Sequence, residues 1–385
     1  MIKIEKIIPG GQGLATLDDG KKAFFWNALP GETVEAYDIT KKKSHYIETV
    51  ATQIANNSSH RANPKDACFL STSPWQIIDY TYELQLKQDL VVEIFREHHL
   101  DILTPEIYTD GHDYHYRNKM EYALYWDHDT EKIHLAFHQR GSHRKIPITT
   151  SSIERPEILT RARQIIDELN QKHDEARRYQ SLLLRCNQNG EVSGGLYENY
   201  KSHPVFENLT DEILNRIYSY SPNGFFQINL PVYEMALKSI KPHITTDEVL
   251  DLYAGVGTIG LSVALDHHLT LVECDKHAYH ELVNNSKSYN NINTILDKSE
   301  NITDYISPTQ TIILDPPRSG CDKKLIERLL QVTPPKIIYL SCNPATQARD
   351  VKALQEKYQI TEIKTFNFFP HTPHIENLVI LSSKQ

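Results

Sequence analysis

The chain has 385 residues, more than one domain usually needs, and we expect two or three domains, each with a core of its own. Its contents of 39% hydrophobic and 24% charged residues are ordinary for a soluble globular protein. The sequence has no run of about 18 apolar residues, so no membrane span is predicted. The alternating N-terminal sequence is not typical of a signal peptide. The net charge of −9 disfavours phosphate binding unless basic residues are concentrated locally.

Residues 1–57 are typical of short strands joined by tight turns. Turns at Gly10-Gly11, Asp19-Gly20 and Pro30-Gly31 separate short apolar runs. This spacing predicts a small β-barrel of about five strands. Residues 58–74 have the irregular composition of a linker.

Residues 75–210 are predicted to form a central α+β domain. Helical periodicity from Trp75 to about His99 gives way to strand-like sequence over residues 103–150. Further elements are predicted as a helix over Arg155–Tyr179 and strands near Leu182–Leu184 and Val192–Tyr197.

Two basic clusters are candidates for binding phosphate. One is Lys41-Lys42-Lys43, and the other is Glu131–Lys145, which carries four Lys or Arg against that one glutamate. Such clusters are more often solvated surface than binding sites, so neither predicts a nucleic-acid site alone.

The last part of the chain, placed in a domain of residues 211–385, alternates strands and helices from about residue 245. This alternation predicts a doubly wound parallel sheet. The predicted strands are Val249–Tyr253, Leu269–Cys274, Gln310–Leu314 and Lys336–Ser341, with a closing strand pair over Ile360–Phe368 and Leu378–Leu381. The predicted helices are Thr258–Leu265, His277–Asn290, Leu325–Gln331 and Pro344–Tyr358.

Five widely spaced cysteines with no CxxC argue against a disulfide framework and a structural zinc site, and favour a reducing cytoplasm. Cys342 follows the apolar run Ile337-Ile338-Tyr339 in the string Leu340-Ser-Cys-Asn-Pro344. A thiol at the exit of a buried parallel strand is placed where such sheets keep their active sites. We therefore treat Cys342 as a candidate nucleophile, although a lone cysteine is more often a small buried hydrophobic residue.

A glycine-rich turn follows the predicted strand Val249–Tyr253. Gly255 and Gly257 let the backbone approach a ligand, and Glu273, at the end of the next strand, can bind both hydroxyls of a ribose. These features fit a dinucleotide as well as any other ribose-bearing cofactor, and a plain structural turn uses glycine too. Asp315-Pro-Pro-Arg318 adds a carboxylate on a stiff strand exit. The Asp315 carboxylate and the Cys342 thiol together favour S-adenosylmethionine over a dinucleotide, because hydride transfer does not require them.

These strings together resemble the uracil-C5 RNA methyltransferase family, in their order and spacing as well. The resemblance implies a Rossmann-like class I methyltransferase domain, an N-terminal TRAM-type barrel and a central α+β RNA-binding domain, and it covers nearly the whole chain. The matching segments are Phe225–Asn229, Asp251–Thr258, Leu314–Gly320, Leu340–Pro344, Phe369–Glu376 and, in the central region, 116–121 and 137–143.

Carried over position by position, the resemblance makes Cys342 the nucleophile and Glu376 the base. The residues that it places around S-adenosylmethionine, with the two glycines of the turn, are Gln227, Tyr253, Gly255, Gly257, Thr258, Glu273 and Asp315. Arg117 and Lys119, with Arg318 of the Asp-Pro-Pro-Arg string, are expected on the substrate side.

The chain departs from many relatives, which carry four cysteines for a [4Fe-4S] cluster. The linker holds only Cys68, Ser73 stands near the position of another ligand, and Thr149–Glu154 offers no fourth cysteine. One thiolate cannot hold such a cluster, so we predict no iron–sulfur centre. Six histidines between 112 and 143 match no compact metal-ligand spacing, and no metal site is predicted. The segment Thr294–Ser299 is only a loose version of the family's adenine-binding segment.

The implied reaction is methylation of carbon 5 of a uridine in structured RNA through a covalent adduct between cysteine and carbon 6. We expect a cytoplasmic monomer that flips its target base, and 23S rRNA as substrate, with the T-loop uridine of tRNA as the alternative. Three other functions stay open, namely methylation of an exocyclic amine, methylation of cytosine C5, and RNA binding or assembly without catalysis.

Overall fold

A computed structural model describes residues 1–172, 176–198 and 204–384. The strands are β1 (Ile2–Lys3), β2 (Lys6–Ile7), β3 (Gly13–Thr16), β4 (Lys22–Trp26), β5 (Thr33–Lys42), β6 (Tyr46–Asn56), β7 (Glu106–Tyr108), β8 (Lys119–Asp127), β9 (Lys132–His138), β10 (Lys145–Pro147), β11 (Ser181–Cys186), β12 (Val192–Tyr197), β13 (Leu209–Ile213), β14 (Arg216–Tyr220), β15 (Glu248–Leu252), β16 (His268–Glu273), β17 (Ile292–Leu296), β18 (Gln310–Leu314), β19 (Lys336–Ser341), β20 (Tyr358–Phe366) and β21 (Glu376–Ser383). The α-helices are α1 (Phe69–Thr72), α2 (Tyr80–Glu97), α3 (Pro156–Asn170), α4 (Leu230–Ile240), α5 (Thr258–Val263), α6 (Lys276–Ser286), α7 (Lys323–Val332) and α8 (Pro344–Leu354).

The N-terminal residues form a six-stranded sheet in the order β1-β5-β6-β4-β3-β2. Because β1 and β2 follow one another along the same short segment, their pairing with β5 and β3 closes the sheet on itself. Alternate side chains of the strands fill a small core of Ala15, Ala23, Phe25, Val34 and Ala51. The result is a small barrel with polar and basic residues on its outside.

The central sheet has five antiparallel strands in the order β10-β9-β8-β11-β12. Helix α3 begins at Pro156, whose missing N–H costs nothing in the first turn. Its apolar stripe of Ile158, Ala162, Ile165 and Leu169 packs against the inner face of the sheet. The helix was predicted to run to Tyr179, and the part of that prediction at 173–175 lies outside the described residues.

The large sheet has eight strands in the order β17-β16-β15-β18-β19-β21-β20-β7. Strands β15 to β19 are parallel, and β21 runs antiparallel between β19 and β20. Alternating residues such as Ile337 and Ile338 belong to separate cores on opposite faces of the sheet. Helices α2, α7 and α8 cover one face, and α4, α5 and α6 cover the other.

The predicted strands Gln310–Leu314 and Lys336–Ser341 match the structure residue for residue, whereas β17 was missed. Strand β17 lies at the edge of the sheet and is only partly buried, so its sequence carries little apolar signal. Residues 103–150 were predicted to be strand-like, and the prediction is wrong for Tyr114–Arg117, where Arg117 makes only an isolated bridge to Glu154.

The boundary predicted at residue 75 also differs from the structure. Helix α2 buries Leu90, Val91 and Phe95 in the core of the large sheet, and β7 extends the edge of that sheet beside β20. Residues 80–108 therefore pack with the C-terminal unit instead of the central sheet. The reason is that the apolar face of α2 covers sheet residues that α7 and α8 leave open. No helix within the described ranges has the length and apolar character needed to cross a membrane.

Candidate active site at the carboxyl edge of the large sheet

Strand β15 lies where the chain changes direction across the sheet. From β15 the chain passes to β16 and β17 on one side, and it returns to β18 on the other side. Connections that diverge in this way leave a crevice beyond the carboxyl ends of the strands, and ligands bind there in open α/β sheets. The predicted glycine turn, Glu273 and Asp315 all follow strands that meet at this crevice.

The turn after β15 is built for close approach of a ligand. Gly255 has φ +59°, and no atom lies within 4 Å of the position that a Cβ would occupy, so this side of the turn is open. Gly257, at φ +92°, precedes α5, and a Cβ there would lie 2.7 Å from Leu282. Asp251 holds the turn from below because its Oδ2 accepts a 2.9 Å hydrogen bond from the Gly260 amide.

Glu273 bridges the glycine turn and the start of α6. Its carboxylate accepts hydrogen bonds from the amides of Gly255 at 2.8 Å, Cys274 at 2.7 Å and Asp275 at 2.6 Å. These donors fix the carboxylate at the end of β16, beside the open face of Gly255. Its position suits binding of ribose hydroxyls, as the sequence predicted.

The other predicted cofactor residues line the same region. Tyr253 adopts φ +66° directly after β15, and the hydroxyl of Thr258, at the start of α5, lies 2.9 Å from that of Tyr233. Gln227 is 7% exposed, and its backbone carbonyl accepts from Asn118 of the central unit at 3.0 Å. The cofactor region is therefore tied to the central sheet.

The carboxyl groups of the crevice fit a cationic cofactor. Burial, together with the charges of Asp315 and Glu273, raises the pKa of Asp251 to about 8, and burial raises that of Asp315 to about 7. One carboxylate oxygen of Asp251, Oδ1, has no hydrogen-bond partner in the described structure. A sulfonium placed here would relieve the repulsion between these groups, whereas the phosphates of a dinucleotide would increase it. The carboxyl groups of this crevice therefore fit S-adenosylmethionine, which carries a positive charge.

Cys342 and Glu376 lie side by side. Ser341 on β19 pairs with Asn377 on β21, and continuing this antiparallel register one residue outward sets Cys342 opposite Glu376. Side chains of directly opposed residues leave the same face of a sheet, with Cβ atoms about 5 Å apart. Cys342 is half-buried and open to solvent on one side, whereas Glu376 is 4% exposed.

The surroundings of both groups disfavour their charged forms. Burial, reinforced by the charges of Glu376 and Asp315, raises the pKa of the Cys342 thiol to about 11, and Arg318 opposes this shift. Burial and Asp315 raise the pKa of Glu376 well above its usual range. An added positive charge near Cys342, Glu376 and Asp315 would lower the pKa values of all three groups.

Hydrogen bonds from Asn343 hold the loop that carries Cys342, between β19 and α8. Asn343 caps α8 by accepting from the Ala345 amide, and its Nδ2 donates to the Arg318 carbonyl at 2.8 Å. Pro344 occupies the first turn of α8, where its missing N–H costs nothing. The Asp-Pro-Pro-Arg and Ser-Cys-Asn-Pro segments are thereby joined.

The predicted substrate residues Arg117 and Lys119 lie on the central unit, near the cofactor region. Lys119 Nζ donates to the carbonyls of Asn223 and Gly224, and burial with nearby Arg185 and Arg117 lowers its pKa to about 8. Arg117 Nε donates to the Lys119 carbonyl at 2.8 Å. The Lys119 side chain therefore supports the segment that leads to Gln227, and Arg117 braces the backbone of Lys119.

Two features of the site were not predicted. Lys87, fully buried on α2, binds Glu83 at 2.8 Å and donates to Asn367 and to the carbonyl of Phe369, on the segment that leads to Glu376. His374 lies 3.3 Å from the Arg318 guanidinium. The sequence signal that could have revealed the buried Lys87 was a Glu–Lys pair, four residues apart, on the apolar face of the predicted helix.

Among the residues that the structure describes, no group of three or more His, Cys, Asp or Glu could hold a metal ion. Cys68 is buried, and burial with Asp66 raises the pKa of its thiol to about 11. The absence of an iron–sulfur cluster stays a prediction.

Comparison with known proteins finds RNA methyltransferases among the proteins that are similar to this chain. Residues 277–384 match the family model described as tRNA (Uracil-5-)-methyltransferase. The chain is 29% identical to an uncharacterized RNA methyltransferase of Prochlorococcus marinus, over 92% of this chain and 99% of that one. It is 27% identical to another from Bacillus anthracis, over 100% and 96%.

One solved structure is similar over the full length. The tRNA (uracil-54, C5)-methyltransferase of Pyrococcus abyssi, in complex with S-adenosyl-L-homocysteine, superposes with a TM-score of 0.77 at 23% identity, covering 99% of this chain and 100% of that one. It shows that the two chains share a fold. Together the matches confirm the resemblance to uracil-C5 RNA methyltransferases that the motifs predict.

Proposed function

We propose that this chain, a relative of the uracil-C5 RNA methyltransferases, methylates carbon 5 of a uridine in folded RNA through a transient bond from Cys342 to carbon 6. The observation that carries the proposal is the strand register that sets Cys342 beside Glu376. This pair lies at the same sheet edge as Glu273 and Asp315. A methyltransferase acting on an exocyclic amine needs neither a thiol nor a neighbouring base.

The two side chains divide the reaction between them. The Cys342 thiolate adds to carbon 6 of the ring, and the electron pair moves through the ring to make carbon 5 nucleophilic. Gln227, Glu273 and Asp315 would hold S-adenosylmethionine, which would supply the methyl group. Glu376 then takes the proton from carbon 5, the carbon–sulfur bond breaks, and Cys342 leaves as a thiolate. The pyrimidine double bond is restored, and one proton is released overall.

A basic surface supports folded RNA as the substrate. The tip of the β5–β6 hairpin carries Lys41-Lys42-Lys43, and the backbone of Gly141 in the β9–β10 loop lies against Thr40 of that hairpin. Arg140, in the same loop, stacks over Trp26 of the barrel at 4.2 Å. The two basic clusters, which are far apart in the sequence, are thus continuous. A positive surface offsets the unfavourable net charge and suits phosphate contacts.

Other parts of the proposal follow from the same resemblance. The closed six-stranded barrel is a TRAM-type RNA-binding module, the central sheet is the second RNA-binding unit, and the protein acts as a cytoplasmic monomer. For the substrate, we keep 23S rRNA with the tRNA T-loop uridine as the alternative. The similarity in fold to the tRNA (uracil-54, C5)-methyltransferase of Pyrococcus abyssi supports the tRNA alternative.

The test is methylation of unmodified RNA in vitro, followed by nucleoside mass spectrometry. Separate reactions with 23S rRNA and with tRNA should show 5-methyluridine in one of them. Cys342→Ala should lose activity almost completely, whereas Cys68→Ala, on a buried thiol in the core of the central sheet, serves as the control for thiol loss. Glu376→Gln should stall after methyl transfer, because the carbon-5 proton has no acceptor, and should accumulate protein bound to RNA. Full activity of Cys342→Ala would refute the covalent mechanism. A methylated product other than 5-methyluridine would refute carbon 5 of uridine as the target atom.

A further inference from the structure

Arg318 connects the segments that carry the nucleophile and the base. Its backbone carbonyl accepts hydrogen bonds from Asn343 Nδ2 at 2.8 Å and from Thr346 Oγ1 at 3.2 Å, both on the segment that follows Cys342. Its side-chain Nη2 lies 3.3 Å from Nδ1 of His374, two residues before Glu376. The position of the guanidinium is therefore set from both sides of the reaction centre.

The contact between Arg318 and His374 determines the state of the imidazole. A guanidinium can only donate hydrogen bonds, so Nδ1 of His374 must accept, and the ring proton must be on Nε2. Burial lowers the pKa of His374 to about 4, and the cations Arg318, Lys87, Arg117 and Arg140 all add to this effect. The ring is therefore neutral at physiological pH and can act as the acceptor. The edge-to-face contact with Phe369, at 5.6 Å between ring centroids, holds it in place.

The charged groups facing Cys342 act in opposite directions. Burial and the two carboxyls Glu376 and Asp315 disfavour the thiolate. Arg318 favours the thiolate through its positive charge. A nucleophilic cysteine needs such a cation, because only the thiolate attacks.

We propose that Arg318 stabilises the Cys342 thiolate directly and that neutral His374 positions the guanidinium for this task. Arg318 is thus a catalytic residue, and His374 is a positioning residue that acts through it. The inference rests on the proposed role of Cys342 as nucleophile. It assigns His374 a function that requires a lone pair on Nδ1 and no charge.

The test measures the reactivity of the thiol in the free full-length protein, without RNA. Alkylation by iodoacetamide is followed from pH 6 to 10.5, and peptide mass spectrometry resolves each cysteine. Exposed Cys274 is an internal control in every sample. The variants are Arg318→Gln, His374→Leu, which removes the acceptor, and His374→Asn, whose side-chain oxygen can replace Nδ1.

Arg318→Gln and His374→Leu should move the Cys342 profile to higher pH by about one unit, which corresponds to a tenfold loss of thiolate. The rate at a fixed lower pH should fall only about threefold, because a more basic thiolate is more nucleophilic. His374→Asn should stay close to the unmodified protein. The inference is overturned if Arg318→Gln leaves the profile unchanged, if His374→Asn shifts it as far as His374→Leu, or if Cys274 shifts equally.

Two features keep this test decisive. Arg318 is exposed, so Arg318→Gln should fold even if His374→Leu does not. The readout does not depend on methylation, so failure of the proposed function would show as a missing RNA adduct, while failure of this inference would show as an unchanged alkylation profile.

Discussion

Replacing Lys87 by methionine tests how the segment before Glu376 is held. Lys87 is fully buried, and its Nζ contacts Glu83 at 2.8 Å, Asn367 Oδ1 at 2.6 Å and the Phe369 carbonyl at 3.0 Å. Methionine has a similar length but carries neither charge nor donors. The change would leave the Glu83 carboxylate buried without its cation.

Breaking a buried ion pair by removing one partner costs about 3–5 kcal/mol, and we expect a loss of this size in the free energy of unfolding for Lys87→Met. The double variant Glu83→Gln, Lys87→Met removes the uncompensated charge as well. It should therefore lose about 1–2 kcal/mol less than the sum of the two single variants, because residues in contact are coupled.

The assay is urea denaturation followed by fluorescence of Trp75, which is buried beside Lys87 with 5.8 Å between Nζ and the ring centroid. Trp26→Phe and Trp126→Phe in the background isolate this signal. A loss below about 1 kcal/mol for Lys87→Met, or additive single and double variants, would refute the idea that this pair anchors the segment.

Three further outcomes are expected. Gly260→Ala should cost roughly 1–3 kcal/mol by thermal denaturation, because its Cβ would lie 2.6 Å from Leu271 and 2.8 Å from Asp251, whereas Gly224→Ala, with 3.5 Å to the nearest atom, should be almost neutral. The value of kcat/KM should rise from pH 6 to 9, because the raised pKa values of Cys342 and Glu376 mean that both must lose protons to act, and a profile that falls over this range would contradict the roles. Lys42→Ala should weaken RNA binding and reduce the slope of log affinity against log salt by about one, whereas Lys357→Ala, at the opposite edge of the large sheet, should leave the slope unchanged.

The strands that carry the site were predictable because they are buried on both faces. Such strands have uninterrupted apolar runs, as in Ile312–Leu314 and Ile337–Leu340, and polar residues mark their ends. The polar residues at those ends, including Asp315 and Cys342, were identified from the sequence, and their roles stay predictions. Edge strand β17 lacks this signal, and for that reason the strand was not predicted.

Relations between distant segments could not be read from the sequence. The periodicity of α2 shows that it has an apolar face but not which sheet that face covers, and the domain boundary at residue 75 differed from the structure for this reason. The contact of His374 with Arg318 likewise depends on how β21 returns beside β19. That Glu376 is adjacent to Cys342 followed from the family resemblance and required the register of the two strands to be seen.

The most direct test of the central claim is capture of the covalent intermediate. RNA containing 5-fluorouridine is incubated with the protein and S-adenosylmethionine, and the product is digested and analysed by mass spectrometry. Since fluorine at carbon 5 cannot leave as a proton, we expect a stable adduct that carries one added methyl group and is attached through Cys342. An adduct that still forms with Cys342→Ala, or no adduct with protein that methylates ordinary RNA, would contradict the account.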